Sequence, residues 1–322
     1  MVDLSNEFAI GIDIGGTNTK YGIVNHRGEI LEKGELKTDD FPKVEGYVDA
    51  LHDAVSLLIK KHADGGGVKG IGIGAPNGNF YTGTIEYAPN LQWKGIIPLT
   101  KLVTAKFGLP SALTNDANAA AVGEMNYGAA RGMRDFIMIT LGTGVGSGIV
   151  SNGQLILGHD GFAGELGHTI IRPGGRKHWS TELDGSLEAY CSATGIAITA
   201  KEMLEKTKDD SLLKKYNDKL DSKIVYECAV KGDKIAQEVY NFTGQILGEA
   251  LANFIMFSSP EAIVLFGGVI KAGDLIMRPT KEHMEKNLLP IFQNKVKLIF
   301  SELKEADAAI LGASALVWEI RE

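Results

Sequence analysis

The chain has 322 residues, of which 44% are apolar and 23% charged, and its formal net charge is -7. This length predicts about two domains, and the acidic balance argues against nucleic acid as the main partner, because phosphate backbones are bound by clustered Lys and Arg. Two cysteines without a paired spacing, and the lack of any membrane-span or signal pattern, predict a cytoplasmic protein without a membrane partner.

The predicted elements alternate between strands and helices along the chain. Apolar runs that end in turn residues predict strands at residues 8–14, 21–24, 29–36, 70–75, 111–114, 135–141 and 263–266, and a hairpin at 148–156. Helical spacing or alanine-rich composition predicts helices at residues 46–63, 117–126 and 307–319, and a largely helical stretch at 196–257. This order is typical of an α/β fold.

One sequence pattern occurs twice. Gly16-Thr17 is followed after four residues by Gly22-Ile23-Val24, and Gly142-Thr143 is followed at the same spacing by Gly148-Ile149-Val150. Each copy comes after an apolar strand and before a hairpin turn. The repeat predicts two related α/β domains, each with a strand-turn-strand loop at a cleft. The expected domains are residues 1–117 with about 300–322, and residues 118–299.

Both copies of the pattern contain glycine-rich loops suited to phosphate. Backbone N–H groups in such a turn form a concave anion site, and threonine hydroxyls add donors. The first loop also contains Asp13, which cannot bind phosphate directly but can hold Mg²⁺ or a water of its shell. A plain glycine-rich turn is the alternative for each loop. The candidate residues are Asp13, Gly15, Gly16, Thr17 and Asn18 in the first loop, and Gly142, Thr143 and Gly144 in the second.

Other nucleotide-binding signatures are absent from the sequence. There is no GxxxxGK[ST] pattern, and the HRD and DFG motifs of protein kinases do not occur. Gly142, Gly144 and Gly146 lack the GxGxxG spacing of dinucleotide-binding folds, and their loop leads into a hairpin instead of a helix. A nucleotide-dependent oxidoreductase is therefore the weaker hypothesis.

Two polar clusters are candidates for the chemistry of a substrate. Asn115-Asp116 stands between a strand and an alanine-rich helix, where either residue could cap the helix. Alternatively, Asp116 could act as the general base of a phosphoryl transfer. Glu165 and His168 lie three residues apart, so a helical turn would project both from one face. A carboxylate and a histidine suit the vicinal hydroxyls of a sugar, and an ordinary surface turn is the alternative.

Taken together, these motifs resemble those of the ROK family (repressors, open reading frames and sugar kinases) over nearly the whole chain. The matching strings are Asp13-Ile14-Gly15-Gly16-Thr17, Gly72-Ile73-Gly74-Ala75-Pro76, Asn90-Leu91-Gln92-Trp93, Thr114-Asn115-Asp116-Ala117-Asn118, Leu141-Gly142-Thr143-Gly144, Gly164-Glu165-Leu166-Gly167-His168 and Phe266-Gly267-Gly268. The resemblance implies a two-domain, actin-like (ribonuclease-H-like) α/β fold with a cleft between the domains. It also implies ATP and Mg²⁺ as cofactors, and a homodimer.

The resemblance further implies a role for each site residue. Asp116 is expected to be the catalytic base. The residues expected to bind the sugar are Asn90, Asn115, Asp116, Glu165, His168 and Glu188, the last from the local match Gly185-Ser186-Leu187-Glu188. The residues expected near ATP are Gly16, Thr17, Gly142 and Thr143 at the phosphates, and Gly267 and Gly268 by the adenosine. The implied reaction is phosphorylation of a hexose, glucose first, at the 6-hydroxyl.

The chain departs from the family pattern at two places. Family members usually carry a Cys-x-Cys-Gly-x-x-Gly-Cys zinc site after the Gly-His pair, but residues 177–186 contain no cysteine. His168 and His178 are left as two possible ligands, and a tetrahedral structural zinc needs four. We therefore expect no zinc. Asn77 stands where a glycine is common, near the sugar pocket, and is expected to bear on specificity.

Within the family, the kinase branch is expected rather than the repressor branch. Only seven residues precede Phe8, and a DNA-binding helix-turn-helix needs more. Three alternatives to a glucokinase stay open: a kinase for another hexose or for N-acetylmannosamine, a non-catalytic sugar sensor on the same fold, and the oxidoreductase named above. The candidate sugars differ by one stereocentre or substituent, which the sequence does not resolve.

Overall fold

The computed structural model describes residues 7–63, 67–216 and 219–319 of the chain. The chain forms two compact units, and each has its own sheet. The first unit comprises Met1–Met133, Gly148–Ala163 and Ser301–Glu322, and the second comprises Arg134–Ser147 and Gly164–Phe300. The domain bounds expected from the sequence stay a prediction; residues 118–133 and 148–163 pack in the first of these units.

Strands and helices alternate along the described chain. The strands are β1 (Phe8–Ile14), β2 (Asn18–Asn25), β3 (Ile30–Lys37), β4 (Val68–Gly74), β5 (Gly78–Asn79), β6 (Thr84–Glu86), β7 (Ile96–Ile97), β8 (Ser111–Thr114), β9 (Phe136–Leu141), β10 (Val145–Ser151), β11 (Gln154–Leu155), β12 (Ala262–Phe266) and β13 (Lys297–Phe300). The α-helices are α1 (Val44–His62), α2 (Leu99–Phe107), α3 (Asp116–Tyr127), α4 (Glu188–Cys191), α5 (Ala193–Lys206), α6 (Ser222–Val230), α7 (Lys234–Ser258), α8 (Asp274–Lys286) and α9 (Glu305–Ala315). Short 3₁₀ helices occupy Thr38–Asp40, Leu166–His168, Leu212–Lys215, Gly268–Ala272 and Leu316–Glu319.

The first unit is built on a five-stranded sheet with the strand order β3-β2-β1-β4-β8. β1, β2 and β3 form an antiparallel meander, and β4 and β8 run parallel to β1. β1 and β4 are buried along nearly their whole length, which is typical of strands covered on both faces. On one face, apolar residues of α1 and α2 such as Leu51 and Val103 form a core with Ile10, Ile12 and Ile73.

On these strands, α9 packs at a distance that only glycine permits. A Cβ on Gly11 would lie 2.1 Å from the carbonyl oxygen of Ile310, and a Cβ on Gly72 would lie 1.8 Å from that of Ala313. The two glycines therefore let the helix backbone contact β1 and β4 directly. α9 also packs on α3, where a Cβ on Gly123 would lie 2.8 Å from the backbone of α9. These contacts fix α3, and the residue at its start, against the sheet.

The second sheet has the strand order β11-β10-β9-β12-β13. β9, β12 and β13 are parallel, and β10 forms a hairpin with β11. The boundary between the units passes through β10. In the second unit, α7 packs closely on α8, because Gly248 has no side chain: a Cβ there would lie 2.4 Å from the carbonyl oxygen of Thr280. β9 and β12 are direct neighbours, so the segments that follow them begin at the same edge of the sheet.

Each strand and helix expected from the sequence is present, with bounds that differ by a few residues. The sequence did not predict β5, β6 and β7, which are too short to produce an alternating pattern. It also did not predict α8, because Pro279 normally argues against a helix interior. The predicted closing helix at 307–319 is an α-helix to Ala315 and then a 3₁₀ turn. Within the described ranges, no helix combines the length and the apolar character that crossing a membrane requires.

Candidate active site

The site residues expected from the sequence fall into two sets, one in each compact unit. The first unit contains Asp13, Gly15, Gly16, Thr17, Asn18, Asn90, Asn115 and Asp116. The second unit contains Gly142, Thr143, Gly144, Glu165, His168, Glu188, Gly267 and Gly268. Most members lie at or next to strand ends, whereas Asn90, Glu165, His168 and Glu188 lie in segments between strands.

Asp13 and Asp116 lie at the same edge of the first sheet. Asp13 of β1 stands opposite Gly74 of β4, and Gly74 stands opposite Thr114 of β8. Asp116 follows two residues after Thr114, as the first residue of α3. A Cβ on Gly74 would lie 3.8 Å from Oδ1 of Asp13 and 3.9 Å from Cα of Asp116. The glycine therefore leaves space between a half-buried carboxylate, Asp13, and an exposed one, Asp116.

The charge of Asp116 acts on Asp13. Burial and the Asp116 carboxylate raise the pKa of Asp13 from its ordinary 3.8 to about 6, and Lys20 lowers it by a smaller amount. Two carboxylates that repel each other at a partly buried site are a donor set suited to a hard divalent cation, which oxygen ligands bind best. The residues present at this edge of the sheet therefore fit Mg²⁺.

The loop after β1 rests on the segment that contains Asn90. The N–H of Gly15 donates to the carbonyl of Asn18 at 2.9 Å, which closes the turn between β1 and β2. A Cβ on Gly16 would lie 2.5 Å from the carbonyl oxygen of Asn90. The indole N–H of Trp93 donates to the carbonyl of Phe41 at 2.9 Å and anchors this segment. The expected phosphate loop and the expected sugar residue Asn90 are thus in backbone contact.

Asn115 caps α3, and Asp116 stands beside the cap. Oδ1 of Asn115 accepts a hydrogen bond of 2.7 Å from the N–H of Asn118. The cap occupies the carbonyl oxygen, so the Nδ2 amide is the group of Asn115 suited to donate to a ligand. Among the described residues, the hydrogen bond that Asp116 accepts is a long one of 3.2 Å from the N–H of Ala117. Asn115 is therefore the helix cap, and the carboxylate of Asp116 is the group of this pair that is available for chemistry.

In the second unit, two glycine-containing segments follow adjacent parallel strands. β9 leads into Gly142 and β12 leads into Gly267. Thr140 and Phe266 are paired at the ends of these strands, so the two segments begin side by side. Gly267 has a φ of 105°, and a Cβ there would lie 2.5 Å from the carbonyl oxygen of Leu141, so only glycine fits. The start of α5 reaches the same loop, since the N–H of residue 193 donates to the carbonyl of Gly142 at 2.8 Å. The segments expected to bind ATP in this unit share one edge of the sheet.

Glu165 and His168 flank a short 3₁₀ turn and project from one face, as their spacing predicts. Oε2 of Glu165 lies 3.9 Å from Nε2 of His168. A Cβ on Gly167 would lie 2.0 Å from the carbonyl oxygen of Val145, so the turn packs directly on the start of β10. Nδ1 of His168 is buried and has no hydrogen-bond partner among the described residues.

Glu188 connects the glycine-rich loop after β9 to a buried histidine. Its Oε2 accepts a hydrogen bond of 2.7 Å from the N–H of Val145, and its Oε1 lies 2.7 Å from Nε2 of His178. A Cβ on Gly144 would lie 2.5 Å from Oε2 of Glu188, so the carboxylate touches the loop backbone. A carboxylate has about four lone-pair sites, and Glu188 therefore keeps acceptor capacity for a sugar hydroxyl.

The cysteine-free segment between the Gly-His pair and Glu188 is held by Arg176. Its guanidinium donates to the carbonyls of Ala189 at 2.6 Å and Gly195 at 3.1 Å. It also pairs with Glu202 at 2.7 Å, and its side chain is only 8% exposed. In the part of the chain that the structure describes, no group of three or more His, Cys, Asp and Glu side chains is placed to hold a metal ion.

Two residues of this region go beyond what the sequence indicates. The sequence gives no signal for Arg176, and it points to His178 only as a possible metal ligand.

Asn77, which replaces a common glycine, has a φ of 50°. Asparagine tolerates this left-handed conformation better than most residues, and the side-chain amide of Asn77 donates to the carbonyl of Glu86 at 2.9 Å. Its backbone conformation explains why glycine is common there.

Known proteins of one family are similar to nearly the whole chain. The model of the ROK family matches residues 9–320. The chain is 37% identical to a glucokinase of Halalkalibacterium halodurans, covering 98% of this chain and 96% of that protein. It is 33% identical to a glucokinase of Thermotoga maritima, covering 96% and 97%.

A solved structure is similar over the same extent. It is a ROK family glucokinase from Streptomyces griseus in complex with glucose and AMPPNP. The identity is 32%, the TM-score is 0.77, and the match covers 97% of this chain and 100% of that chain. The expected fold class, an α/β fold of the two-domain actin-like ATPase type, is confirmed.

Proposed function

The chain belongs to the ROK family, and from this premise we propose that it is an ATP-dependent glucokinase that phosphorylates the 6-hydroxyl of glucose. The observation that carries the proposal is the Asp13–Asp116 pair. The exposed Asp116 carboxylate at the start of α3 lies at the same sheet edge as Asp13 of β1, and burial together with the charge of Asp116 raises the pKa of Asp13 to about 6. A phosphoryl transfer needs a proton acceptor next to a phosphate site. The glucokinases of similar sequence support glucose as the first substrate to test.

Asp116 is the proposed general base. Its carboxylate is exposed, and the hydrogen bond that it accepts among the described residues is a long one from its own helix. As the sugar hydroxyl oxygen forms its bond to the γ-phosphorus, the hydroxyl proton passes to Asp116 and the bond to the β,γ-bridging oxygen breaks, so that ADP leaves. Asn115 donates its Nδ2 amide to a neighbouring sugar oxygen and orients the hydroxyl.

The remaining sugar contacts are assigned to both units. The proposed sugar-binding residues are Asn90, Asn115 and Asp116 in the first unit, and Glu165, His168 and Glu188 in the second. Glu165 and His168 share one face of a turn, which suits a pair of vicinal hydroxyls. The carboxylates of Glu165 and Glu188 would accept hydrogen bonds, and the imidazole of His168 would donate or accept one. Together they would distinguish sugars by the stereochemistry of their hydroxyls.

The phosphate groups are assigned to the two glycine-rich loops. Backbone N–H groups of residues 15–18 and 142–144 would neutralise the charge of the phosphate oxygens, and Gly267-Gly268 would lie by the adenosine. Asp13 would hold Mg²⁺, with Asp116 nearby. When bound, the ion supplies charge neutralisation at the β- and γ-phosphate oxygens. A cytoplasmic location and a homodimer complete the proposal.

The test is a turnover assay across a panel of sugars. Glucose, mannose, fructose, allose and N-acetylmannosamine are each incubated with ATP and Mg²⁺, and ADP release is coupled to NADH oxidation. We expect glucose to give the highest kcat/KM, and NMR of the product to show phosphate on oxygen 6. Highest turnover with another sugar would replace glucose in the proposal. No ADP release with any sugar would favour a non-catalytic sugar sensor.

A melting experiment tests the nucleotide separately. A ligand that binds only the folded protein raises its Tm with concentration. We expect ATP with Mg²⁺ to raise the Tm and NAD to leave it unchanged. The opposite result would favour the oxidoreductase.

A further inference from the structure

His178 is a buried imidazole in a polar setting. Its side chain has no exposed surface. Its ring stacks on Trp179, with centroids 4.1 Å apart and an angle of 28° between the planes, and meets the edge of His168 at 6.0 Å. Buried polar atoms are stable in a fold when they have hydrogen-bond partners, and both nitrogens of this ring have them.

The partners of His178 fix its tautomer. Nδ1 accepts hydrogen bonds from the backbone N–H groups of Ser180 at 3.2 Å and Thr181 at 3.1 Å. A backbone N–H can only donate, so Nδ1 carries a lone pair and no proton. In the neutral ring the proton is then on Nε2, and Nε2 donates to Oε1 of Glu188 at 2.7 Å.

Glu188 is therefore held at both oxygens. Oε1 accepts from His178, and Oε2 accepts from the N–H of Val145, the first residue of β10. Glu188 is the first residue of the four-residue helix α4 and its side chain is 14% exposed. Loss of either donor would let the carboxylate turn about its side-chain torsions, because the remaining hydrogen bond fixes only one oxygen.

We propose that His178 is a positioning residue that orients the Glu188 carboxylate for the sugar. The inference rests on the proposed function, since it takes Glu188 as a sugar ligand. His178 does not touch the sugar. Its turn of residues 178–181 fixes the ring, the ring fixes Oε1, and the free acceptor sites of Glu188 then point in one direction.

Substitution of His178 by asparagine or by glutamine tests the two ring nitrogens separately. In His178→Asn, Oδ1 can replace Nδ1 as the acceptor of the turn, but no donor reaches Glu188. In His178→Gln, Nε2 can replace the ring donor to Glu188, but the turn loses its acceptor. We expect His178→Asn to raise the KM for glucose on the order of 10-fold, the worth of one hydrogen bond to a charged group. We expect His178→Gln to stay within about 3-fold of the wild type.

The KM for ATP and the Tm distinguish positioning from structure. A positioning role predicts that His178→Asn changes the KM for glucose far more than the KM for ATP. A purely structural role predicts similar losses for both substrates, or a larger loss in the Gln variant, whose turn is broken. Lys177→Ala is the matched control, because Lys177 is exposed and pairs only with Glu182 at the surface; it should behave as the wild type.

A double variant keeps the test decisive if His178→Asn fails to fold. Glu188→Gln removes the charge that Nε2 of His178 contacts. If His178 acts through Glu188, His178→Ala should raise the KM for glucose in the wild type and cause no further rise when it is added to Glu188→Gln. Independent, additive effects would overturn the inference, as would a His178→Asn variant with an unchanged KM for glucose. A wild type without activity on any sugar would overturn the proposed function, and this inference with it.

Discussion

Burial and the Asp116 carboxylate together raise the pKa of Asp13, and the two residues therefore form one coupled site at the edge of the first sheet. Asp13 ends a strand and Asp116 begins a helix, more than 100 positions later in the chain. Gly74, on the strand between them, leaves the space that the two side chains share. Removal of the Asp116 charge should consequently lower the pKa of Asp13.

Asp116→Asn should abolish most turnover without unfolding the protein. The amide keeps the size of the side chain but cannot accept the hydroxyl proton, and loss of a general base costs about 10²- to 10⁴-fold in kcat. We expect glucose binding, measured by calorimetry, to be retained. The control is the melting curve, which should match the wild type. Turnover that remains near the wild-type rate would remove Asp116 from the role of base.

Asp13→Asn should stabilise the protein at pH 8 while removing activity. The folded pKa of Asp13, about 6, is above its ordinary 3.8, so the folded chain holds an extra proton between these values. The stability that Asp13 contributes is therefore full below about pH 4 and is lost as the pH rises through about 6. An uncharged amide avoids this cost, and we expect about 1–2 kcal/mol after allowance for partial exposure.

The measurement is the Tm of Asp13→Asn and the wild type at pH 4.5 and pH 8, without Mg²⁺ or nucleotide. The difference in Tm should be larger at pH 8. In the wild type, Mg²⁺ affinity should fall as the pH drops below about 6, because the protonated carboxyl is a poor ligand. An equal Tm difference at both values of pH would contradict the assigned shift.

Gly74→Ala should reduce turnover and Gly72→Ala should reduce stability, although the two positions are only two residues apart on β4. A Cβ at position 74 would lie 3.4 Å from that of Ala119 and 3.8 Å from Oδ1 of Asp13, which is ordinary contact. We expect the fold to be kept and turnover to fall about 10- to 100-fold, because the methyl group occupies the space beside the two carboxylates.

The matched variant Gly72→Ala should instead lose stability. Its Cβ would lie 1.8 Å from the carbonyl oxygen of Ala313, so α9 has to move away from the sheet. We expect a loss of about 3 kcal/mol in the free energy of unfolding. Denaturant unfolding and turnover are measured for both variants. Equal destabilisation in the two would show that the space at Gly74 is structural.

Arg176→Met should loosen the segment that leads to Glu188. The methionine retains much of the volume, but the buried carbonyl of Ala189 loses the guanidinium donor. The carbonyl of Gly195 loses the same donor and keeps the hydroxyl of Thr199. Unsatisfied buried acceptors cost about 1–3 kcal/mol. Lys177→Met is the control, because the Lys177–Glu182 pair is exposed and such pairs contribute little. Similar stability of the two variants, by denaturant unfolding, would contradict the role given to Arg176.

Chelation should leave the Tm of the ligand-free protein unchanged. Arg176 and the hydrogen-bonded turn at His178 hold the cysteine-free segment before Glu188, and a structural zinc would require four ligands. The Tm is measured after dialysis against EDTA and again after addition of Zn²⁺, with metal content determined by mass spectrometry. A lower Tm after EDTA that Zn²⁺ restores would contradict the expectation of no zinc.

The sequence by itself determined many of the strands and helices, and it indicated the family. Apolar runs, glycine turns and helical spacing are local signals, and they act within a few residues of one another. They identified β1 with its loop at Gly15-Gly16, the helix that begins at Asp116, and the turn of Glu165 and His168. The repeated Gly-Thr pattern also indicated two related halves before any fold was known.

Tertiary structure decided what each of these residues meets. The raised pKa of Asp13 depends on burial and on a carboxylate from a distant part of the chain, and neither has a local signal. The role of His178 depends on which atoms face Nδ1 and Nε2, and Gly72 is required only because a helix from the end of the chain packs on it. Local sequence fixes local conformation, whereas charge, tautomer and close packing depend on neighbours that only the folded chain brings together.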